Sequence, residues 1–374
     1  MTKQPTEQGT PTPKKWKKIL LILGGTVLGL LLAAACTYLL LYHVGKSSLL
    51  NYEDVTIQFP TAEPTENTEP TENVGNTEPT TTEEHILSYD DGKTVSYRGQ
   101  TYQLNENIAT ILFIGIDNRE WDTATVNGAA GEADCVLLIA VDTETGETKI
   151  VNISRDSYAH VDIYSGSGNY VESRSTQLCR AFAYGDGQAQ SCENVVKSVS
   201  RLLYGLPIHS YIGVNMRAVR YANDAVGGVS LACIGDVSSK YWHIGYDGEE
   251  VTLWGVAAQN YLSYRDKTRP DGNVERMQRQ KQYVKLFMSK LMKESKKDIS
   301  TLLDLYTAVE DYTFTKLSLA ELTFLATCFV ENGASFDFIT LKGEADMLGE
   351  NAIYYLDRDH LYETVLEVFY TPVK

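Results

Sequence analysis

ATILFIGID at residues 109–117 and DCVLLIAVDTETGETKIVNISRD at 134–156 decide the reading of the fold. The first is an apolar run ending in Gly and Asp, the pattern of a buried strand that delivers an acid at its C-terminal end. The second divides into DCVLLIAVD (134–142), a turn around Gly146, and KIVNISRD (149–156). Two buried strands joined by so short a turn form an antiparallel hairpin in the core. Outward from these, TVSYRGQTYQL (94–104) alternates about Arg98-Gly99 and reads as a second hairpin. SCENVVKSVSRLLYGL (191–206) has helical spacing at Val195, Val196, Val199, Leu202 and Leu203, with Ser191 as cap and Gly205 as stop. Residues 211–231 read as strand, short helix, Gly-Gly turn and strand. Residues 252–265, 274–296, 317–330 and the chain end from Asp357 read as helices. Strands mixed with helices predict an α/β fold with a central mixed β-sheet flanked by helices.

The chain has 374 residues, formal charge −16 and 43% hydrophobic residues, enough for a sizeable core. The acidic balance argues against a general nucleic-acid binder, which needs a basic face. It leaves room for a local basic pocket around a phosphorylated ligand.

Residues 19–44, ILLILGGTVLGLLLAAACTYLLLYHV, contain no Asp, Glu, Lys or Arg. Such a run spans a bilayer. It exceeds the roughly 7–15 apolar residues of a cleaved signal peptide. Lys14, Lys15, Lys17 and Lys18 precede it, with Trp16 among them. Positive residues stay inside. The expected order is a cytoplasmic tail (1–18), a transmembrane signal-anchor helix (19–44), a stalk (45–87) and an extracytoplasmic domain (88–374) on the cell membrane. The stalk reading comes from residues 51–86, which hold nine acids and no Lys or Arg, with EPTENT (63–68) followed by EPTENV (69–74). Pro, Thr, Glu and Asn bury too little surface to offset ordering entropy. The same stretch also reads as a passive linker.

Cys36 lies in the span, and Cys135, Cys179, Cys192, Cys233 and Cys328 lie outside it. None has CxxC or zinc-finger spacing. Small buried thiols are expected, with pairing of Cys179 and Cys192 left open.

The order of landmarks resembles the LytR–CpsA–Psr family of cell-envelope phosphotransferases. The matching pieces are ILFIGIDNR (111–119), ADCVLLIAVD (133–142), VNISRDSY (151–158), QLCRAFAYGDG (177–187), NDAVGGV (223–229) and YLSYRD (261–266) followed by NVERMQRQ (273–280). The resemblance covers about residues 105–370. It implies an α/β domain with an apolar groove for a polyprenyl diphosphate-linked glycan, and transfer of the glycan phosphate to peptidoglycan with Mg²⁺. The glycopolymer (teichoic acid, capsule or another wall polymer) is left open.

Carried onto this chain, the resemblance makes Asp117 and Asp134 the metal pair. Hard carboxylate oxygens with substrate phosphates are a usual Mg²⁺ site. From the residues alone, the favoured reading is two strand-end acids that cap turns. Arg155, Arg265, Arg276 and Arg279 fall at motif positions that clamp the diphosphate, as planar guanidinium does bidentately. Arg276, Arg279 and Gln280 share one helix face at i, i+3 and i+4, which also suits a solvated basic face. Arg155, Asp156, Arg265 and Arg276 are the catalytic candidates, Asp156 being the first guess for a general base. Phe182, Tyr184, Leu253, Trp254 and Tyr261 are candidate groove walls, or ordinary core.

The chain departs from the family pattern in places. Ser263 stands where the first arginine of an Arg-x-Arg pair is usual. Asn273 replaces an acid, with Asp271 nearby, Glu132 replaces an arginine, and Ser154 replaces a proline. Two alternatives to the enzyme follow. One is a catalytically weakened binding module for lipid-linked wall precursors. The other is an envelope-linked regulator of transcription, for which residues 1–18 are too short to hold a DNA-binding domain.

Overall fold

A computed structural model of the chain describes residues 13–53, 55–59, 87–118, 128–266, 272–298, 300–333, 335–349 and 351–373. One helix, α1 (Pro13–Leu49), carries the apolar run and continues beyond residue 44. Leu30, Leu31, Leu32, Leu39, Leu40 and Val44 are exposed along it. Its segment Leu30–Leu49 is long and apolar enough to cross a membrane by length and composition.

Strands β1 (Leu87–Tyr89), β2 (Thr94–Tyr97) and β3 (Gln100–Leu104) form a small antiparallel sheet. The expected hairpin is present, with Arg98 (φ 49°) and Gly99 (φ 75°) at its turn. Two positive φ values are what a two-residue hairpin needs to match strand twist. Next come β4 (Ile108–Ile116), β5 (Ala133–Asp142) and β6 (Glu147–Ile153), the centre of the molecule. β5 and β6 form the antiparallel hairpin that the sequence predicts. The hairpin of β7 (Tyr158–Tyr164) and β8 (Tyr170–Gln177) leads to the short α2 (Arg180–Ala183) and to α3 (Ala189–Leu202).

Then follow β9 (Ser210–Asn215), α4 (Met216–Ala225), β10 (Val229–Ala232), β11 (Val237–Ser239), β12 (Trp242–Gly245) and β13 (Glu250–Leu253). The helices α5 (Val256–Ser263), α6 (Gly272–Lys297) and α7 (Ser300–Val309) precede β14 (Thr313–Thr315) and α8 (Leu319–Asn332). The chain closes with β15 (Ser335–Thr340), β16 (Gly343–Leu348), β17 (Asn351–Leu356), α9 (Arg358–Phe369) and β18 (Tyr370–Pro372).

The central sheet has the order β14-β9-β4-β5-β6-β15. β4 runs parallel to β9 and β15 parallel to β6, while β4–β5, β5–β6 and β14–β9 are antiparallel, so the sheet is mixed. Side chains alternate across a strand, and both faces are covered. Leu112, Ile114, Ile116, Val136 and Leu138 pack with Phe182, Val195, Val199, Val365 and Phe369 on one face. Ala109, Ile111 and Val141 pack with Phe324, Leu325 and Cys328 of α8 on the other, joined by Leu49 at the end of α1. A separate core of Val226, Val229, Leu231, Leu253, Ala258, Tyr261 and Tyr283 gathers the β10–β13 pair, α5 and α6.

Four expectations change. Ser191 lies inside α3 rather than capping it; Oδ1 of Asp186 receives the Gln188 and Ser191 amides. Ser191 instead donates to the Phe182 carbonyl at 2.7 Å, tying α3 to α2. Residues 252–265 are not one helix, because β13 runs to Leu253 and Gly255 (φ 48°) breaks the chain before α5. All six cysteines are free. Cys179 accepts from Arg155 while Cys192 packs beneath Gly213, so the two thiols serve different contacts.

The fourth change concerns the stalk. Its residues 60–86 lie outside the described residues, but its first part is core. Leu49, Tyr52, Ile57 and Phe59 are buried. The Tyr52 hydroxyl donates to the Ile108 carbonyl at 2.6 Å. The amides of Ile57 and Gln58 donate to Asp91 and Tyr204 at 2.8 and 2.7 Å. Phe59 sits among Tyr204, Tyr362 and Tyr370. Thus Phe59→Ala should lower the unfolding free energy by about 3 kcal/mol in urea titrations. A residue in a passive spacer would change it by less than about 0.5 kcal/mol.

His209 stands beside this segment, its ring 5.1 Å from that of Tyr52. The Thr110 amide donates to Nδ1 at 3.2 Å, so the ring is neutral with its proton on Nε2. Burial pulls its pKa down to about 4. The unfolded chain therefore takes up a proton that the folded chain refuses between about pH 6.5 and 4. Stability is full above that window and falls as the pH drops through it. In His209→Asn, which keeps an acceptor for Thr110, equilibrium unfolding at several pH values should show this part of the slope removed.

Candidate active site

The site lies where β4 and β6 end and β5 begins. The β4–β5 ladder shifts register between Gly115 and Ile116, so Ile116 faces Ala133 while Gly115 faces Cys135. Asp134 is the extra residue of this bulge, a device that re-aims a side chain. Beyond the ladder, Asp117 and Glu132 exchange bonds. The Asp117 amide donates to the Glu132 carbonyl at 3.1 Å, and the Glu132 amide donates to Asp117 Oδ1 at 2.8 Å. Gly131 makes the approach possible: its φ is +89°, and a Cβ there would stand 2.6 Å from the Asn118 side chain.

Arg155, two residues past β6, turns its guanidinium into this corner. It pairs with Asp134 through Nη1 and with Glu132 through Nη2, and its Nε lies 3.4 Å from Asp156 Oδ1. Nη2 also reaches Cys179 Sγ at 3.1 Å. Arg276, from the N-terminal part of α6, places Nη1 at 3.1 Å from Asp134 Oδ2. Arg180 of α2 completes the ring, 3.4 Å from Glu132 Oε1. Asp156 is positioned by Gln177, whose Nε2 donates to it at 3.0 Å and to the Ala352 carbonyl at 2.8 Å.

The electrostatics follow from crowding and burial. Burial, then the nearby Arg155 and Arg265 guanidiniums, lower the Arg276 pKa to about 10. For Arg155, burial works in the same direction, but Cys179, Glu132 and Asp156 outweigh it and raise its pKa. Burial pushes the Cys179 thiol up to about 12, so it is not a nucleophile at neutral pH.

Of the residues named from sequence, the structure brings together Asp134, Arg155, Asp156 and Arg276. Asp117 stands on the adjoining strand end with its side chain exposed, and Arg265 is exposed. Arg279 differs from a diphosphate clamp. It is fully buried and donates to the carbonyls of Tyr261 (3.2 Å), Ile234 (3.1 Å) and Tyr264. Gln280 Nε2 turns to the Leu262 carbonyl at 3.4 Å. Residues i and i+3 on a helix differ by about 60° around its axis, enough for Arg276 to face β5 while Arg279 faces α5.

The five candidate groove residues do not line one wall. Phe182 is in the main core, with Tyr184 packed against it, whereas Leu253 and Tyr261 belong to the separate core beside α6. Trp254 is exposed and lies over Gly228. Tyr261 is further fixed by donating to Gln282 at 2.7 Å. Missed from sequence as site residues were Glu132, Arg180, Gln177 and Cys179. QLCRAFAYGDG contains three of them, but their pairing depends on contacts between strands that sequence spacing does not express.

The residues define an α/β protein with an arginine–carboxylate cluster at one end of a mixed sheet. The chain belongs to the LytR_cpsA_psr family, whose profile matches residues 72–368. It is similar to the polyisoprenyl-teichoic acid–peptidoglycan teichoic acid transferase TagU of Bacillus licheniformis, 25% identical over 260 residues, covering 68% of this chain and 74% of that one. Among solved structures it shares its fold with protein gbs0355 of Streptococcus agalactiae (TM-score 0.58, 19% identity, 70% and 86% of the two chains). B. subtilis TagV is also similar (TM-score 0.55, 22% identity, 71% and 98%).

Arg279→Met tests the assignment of that side chain to structure. Three buried carbonyls would lose their donor, and stability should fall by about 3 kcal/mol in denaturant titrations. Arg265→Ala, at an exposed position, should change it by less than about 0.5 kcal/mol.

Proposed function

We propose that this protein is a cell-envelope transferase that moves a glycan phosphate from a polyprenyl diphosphate carrier to a hydroxyl of peptidoglycan. The convergence of Arg155 and Arg276 on one carboxylate, in a chain of this family, carries the reading. The similarity to transferases named for teichoic acid and peptidoglycan supports the substrate class. The head is placed outside the cell and α1 in the cell membrane, with Lys14, Lys15, Lys17 and Lys18 on the cytoplasmic side.

In the reaction, the acceptor hydroxyl attacks the glycan-bearing phosphorus. The bond from that phosphorus to the bridging oxygen breaks, and polyprenyl phosphate leaves. Arg155 and Arg276 hold non-bridging oxygens and meet the charge that grows on them. Exposed Arg265 adds a third cation from the end of α5. Asp156, oriented by Gln177, takes the proton of the attacking hydroxyl.

The residues suit Mg²⁺ only in company with substrate. Among the described residues, no group of three His, Cys, Asp or Glu could hold a metal ion. Asp117 and Asp134 offer hard oxygens on adjoining strands, and Mg²⁺ often takes one or two carboxylates plus phosphate oxygens. When bound there, the ion would neutralise diphosphate charge. Asp134 already has a guanidinium at each oxygen, so Mg²⁺ held by this carboxylate would share it with Arg155 and Arg276.

The test is transfer by the full chain in lipid nanodiscs, with a prenyl diphosphate glycan donor and peptidoglycan oligomers as acceptor. Wild type should transfer with Mg²⁺ and stop with EDTA. Arg276→Ala should lower kcat by about 100-fold, and Asp117→Ala should raise the Mg²⁺ requirement. If wild type binds donor without transfer, the protein is a binding module; a gain of transfer in Ser263→Arg would then trace the loss to that position.

A further inference from the structure

We infer that the head is seated directly on the outer leaflet of the membrane, through the far end of α8 packed alongside α1. The inference rests on the membrane anchoring proposed above, and concerns where the head stands rather than what it catalyses.

The register between the two helices is specific. The Ala320 carbonyl lies where a Cβ on Gly45 would be, 2.1 Å away. Ser48 Oγ donates to Glu321 Oε1 at 2.7 Å. The Tyr42 and Phe324 rings meet edge to face at 5.3 Å. The Tyr38 and Thr327 hydroxyls lie 3.0 Å apart. Along these contacts α1 is descended from residue 48 to residue 38 while α8 advances from 320 to 327. The helices are therefore antiparallel, and α8 points back along the anchor toward its apolar span.

Both helices rise about 1.5 Å per residue. Carried on at the same offset, Leu322 is level with residue 43 and Val330 with residue 35, inside the 19–44 apolar run. A span starting after Lys18 crosses about 30 Å of hydrocarbon in some 20 residues, which places its outer boundary near Tyr38. The last turn of α8 thus reaches the headgroup boundary. It is dressed for that position: Val330 is 84% exposed, and Leu322 is exposed near exposed Leu39, Leu40 and Val44 of α1. Tyr38 and Tyr42 supply the amphipathic rings favoured at this depth. Glu331, exposed on the same turn, reaches back toward the headgroup layer, while Asn332 turns to the head and donates to the Thr143 carbonyl at 3.3 Å. Glu331 adds no attraction to anionic lipid, so helix packing rather than charge holds the seat.

One consequence concerns the acidic stretch. Phe59 on one side and β1 on the other both belong to the head. Residues 60–86 therefore do not connect membrane to head, and their length does not set the height of the site.

The experiment places an environment-sensitive NBD label at single cysteines in the full chain, in a background with all six native cysteines replaced by Ala, reconstituted into phosphatidylglycerol–phosphatidylcholine vesicles. Leu31→Cys marks the span, Val330→Cys the proposed seat, and Met347→Cys an exposed point of the β16–β17 hairpin. Lipids with a doxyl group near the head end of the acyl chain should quench the label at 330 at least two-fold and leave 347 unchanged. Deleting residues 61–85 should not alter the value at 330. Gly45→Leu, which wedges α8 off α1, should reduce it. Quenching at 31 without quenching at 330 overturns the seat, as does equal quenching at 330 and 347. No quenching at 31 overturns the membrane anchoring on which the inference rests, independently of any transfer result.

Discussion

The Asp134 carboxylate joins two parts of the molecule that have separate hydrophobic cores. One oxygen takes Arg155 from the end of β6, and the other takes Arg276 from α6. Each guanidinium is largely out of solvent, and burying a charge costs several kcal/mol unless it is paired. The acids Glu132, Asp134 and Asp156 supply that pairing around Arg155. Arg276 shares its carboxylate with Arg155; burial first, then the neighbouring Arg155 and Arg265, make its pKa fall rather than rise. The arginines Arg155, Arg180, Arg265 and Arg276 are matched in number by Asp117, Glu132, Asp134 and Asp156, but Arg155 and Arg276 share the Asp134 carboxylate, and an anionic ligand of the proposed kind would give them further partners.

Glu132 changes that balance. It pairs with both Arg155 and Arg180, so an anion stands at the start of β5 and α2 contributes a cation across from it. Charge near the site is redistributed between strand β5 and α2. Set against the pattern that the sequence resembles, Ser263 moves the sum the same way, a neutral hydroxyl standing two residues before Arg265 where that pattern has an arginine. The two departures affect different walls: Arg265 is exposed, whereas Arg180 is half-buried beside Glu132.

The fold was legible where local signals were strong. Strands β4, β5 and β6, the Arg98-Gly99 hairpin, and the α4–Gly-Gly–β10 passage were readable because apolar runs and turn residues act within a few positions. Asp134, Arg155, Asp156 and Arg276 were legible through motif order. Arg279 was misread because i, i+3 spacing gives a face but not its neighbours. Here the neighbours are the carbonyls that end α5. The groove residues were misread for a related reason: apolar composition marks burial without saying which core receives it. Residues 49–59 were swept into the stalk by the acidic stretch after them, although Val55, Ile57 and Phe59 alternate with Thr56 and Gln58 much as a half-buried strand does.

The site and the anchor occupy opposite ends of the same sheet. Asn332 at the end of α8 donates to the Thr143 carbonyl, just past β5, while Asp134 lies at the start of that strand. At about 3.3 Å per residue, the strand separates them by roughly 30 Å. If α8 is turned toward the leaflet as proposed, the arginine cluster would face outward at a height set by β5 rather than by a spacer. A lipid-linked donor of the proposed kind would then have to raise its diphosphate along the head, whereas a wall polymer would meet the same groups from outside. On that reading the sheet would keep donor and acceptor on different approaches, with the paired strands β4, β5 and β6 fixing the distance between them.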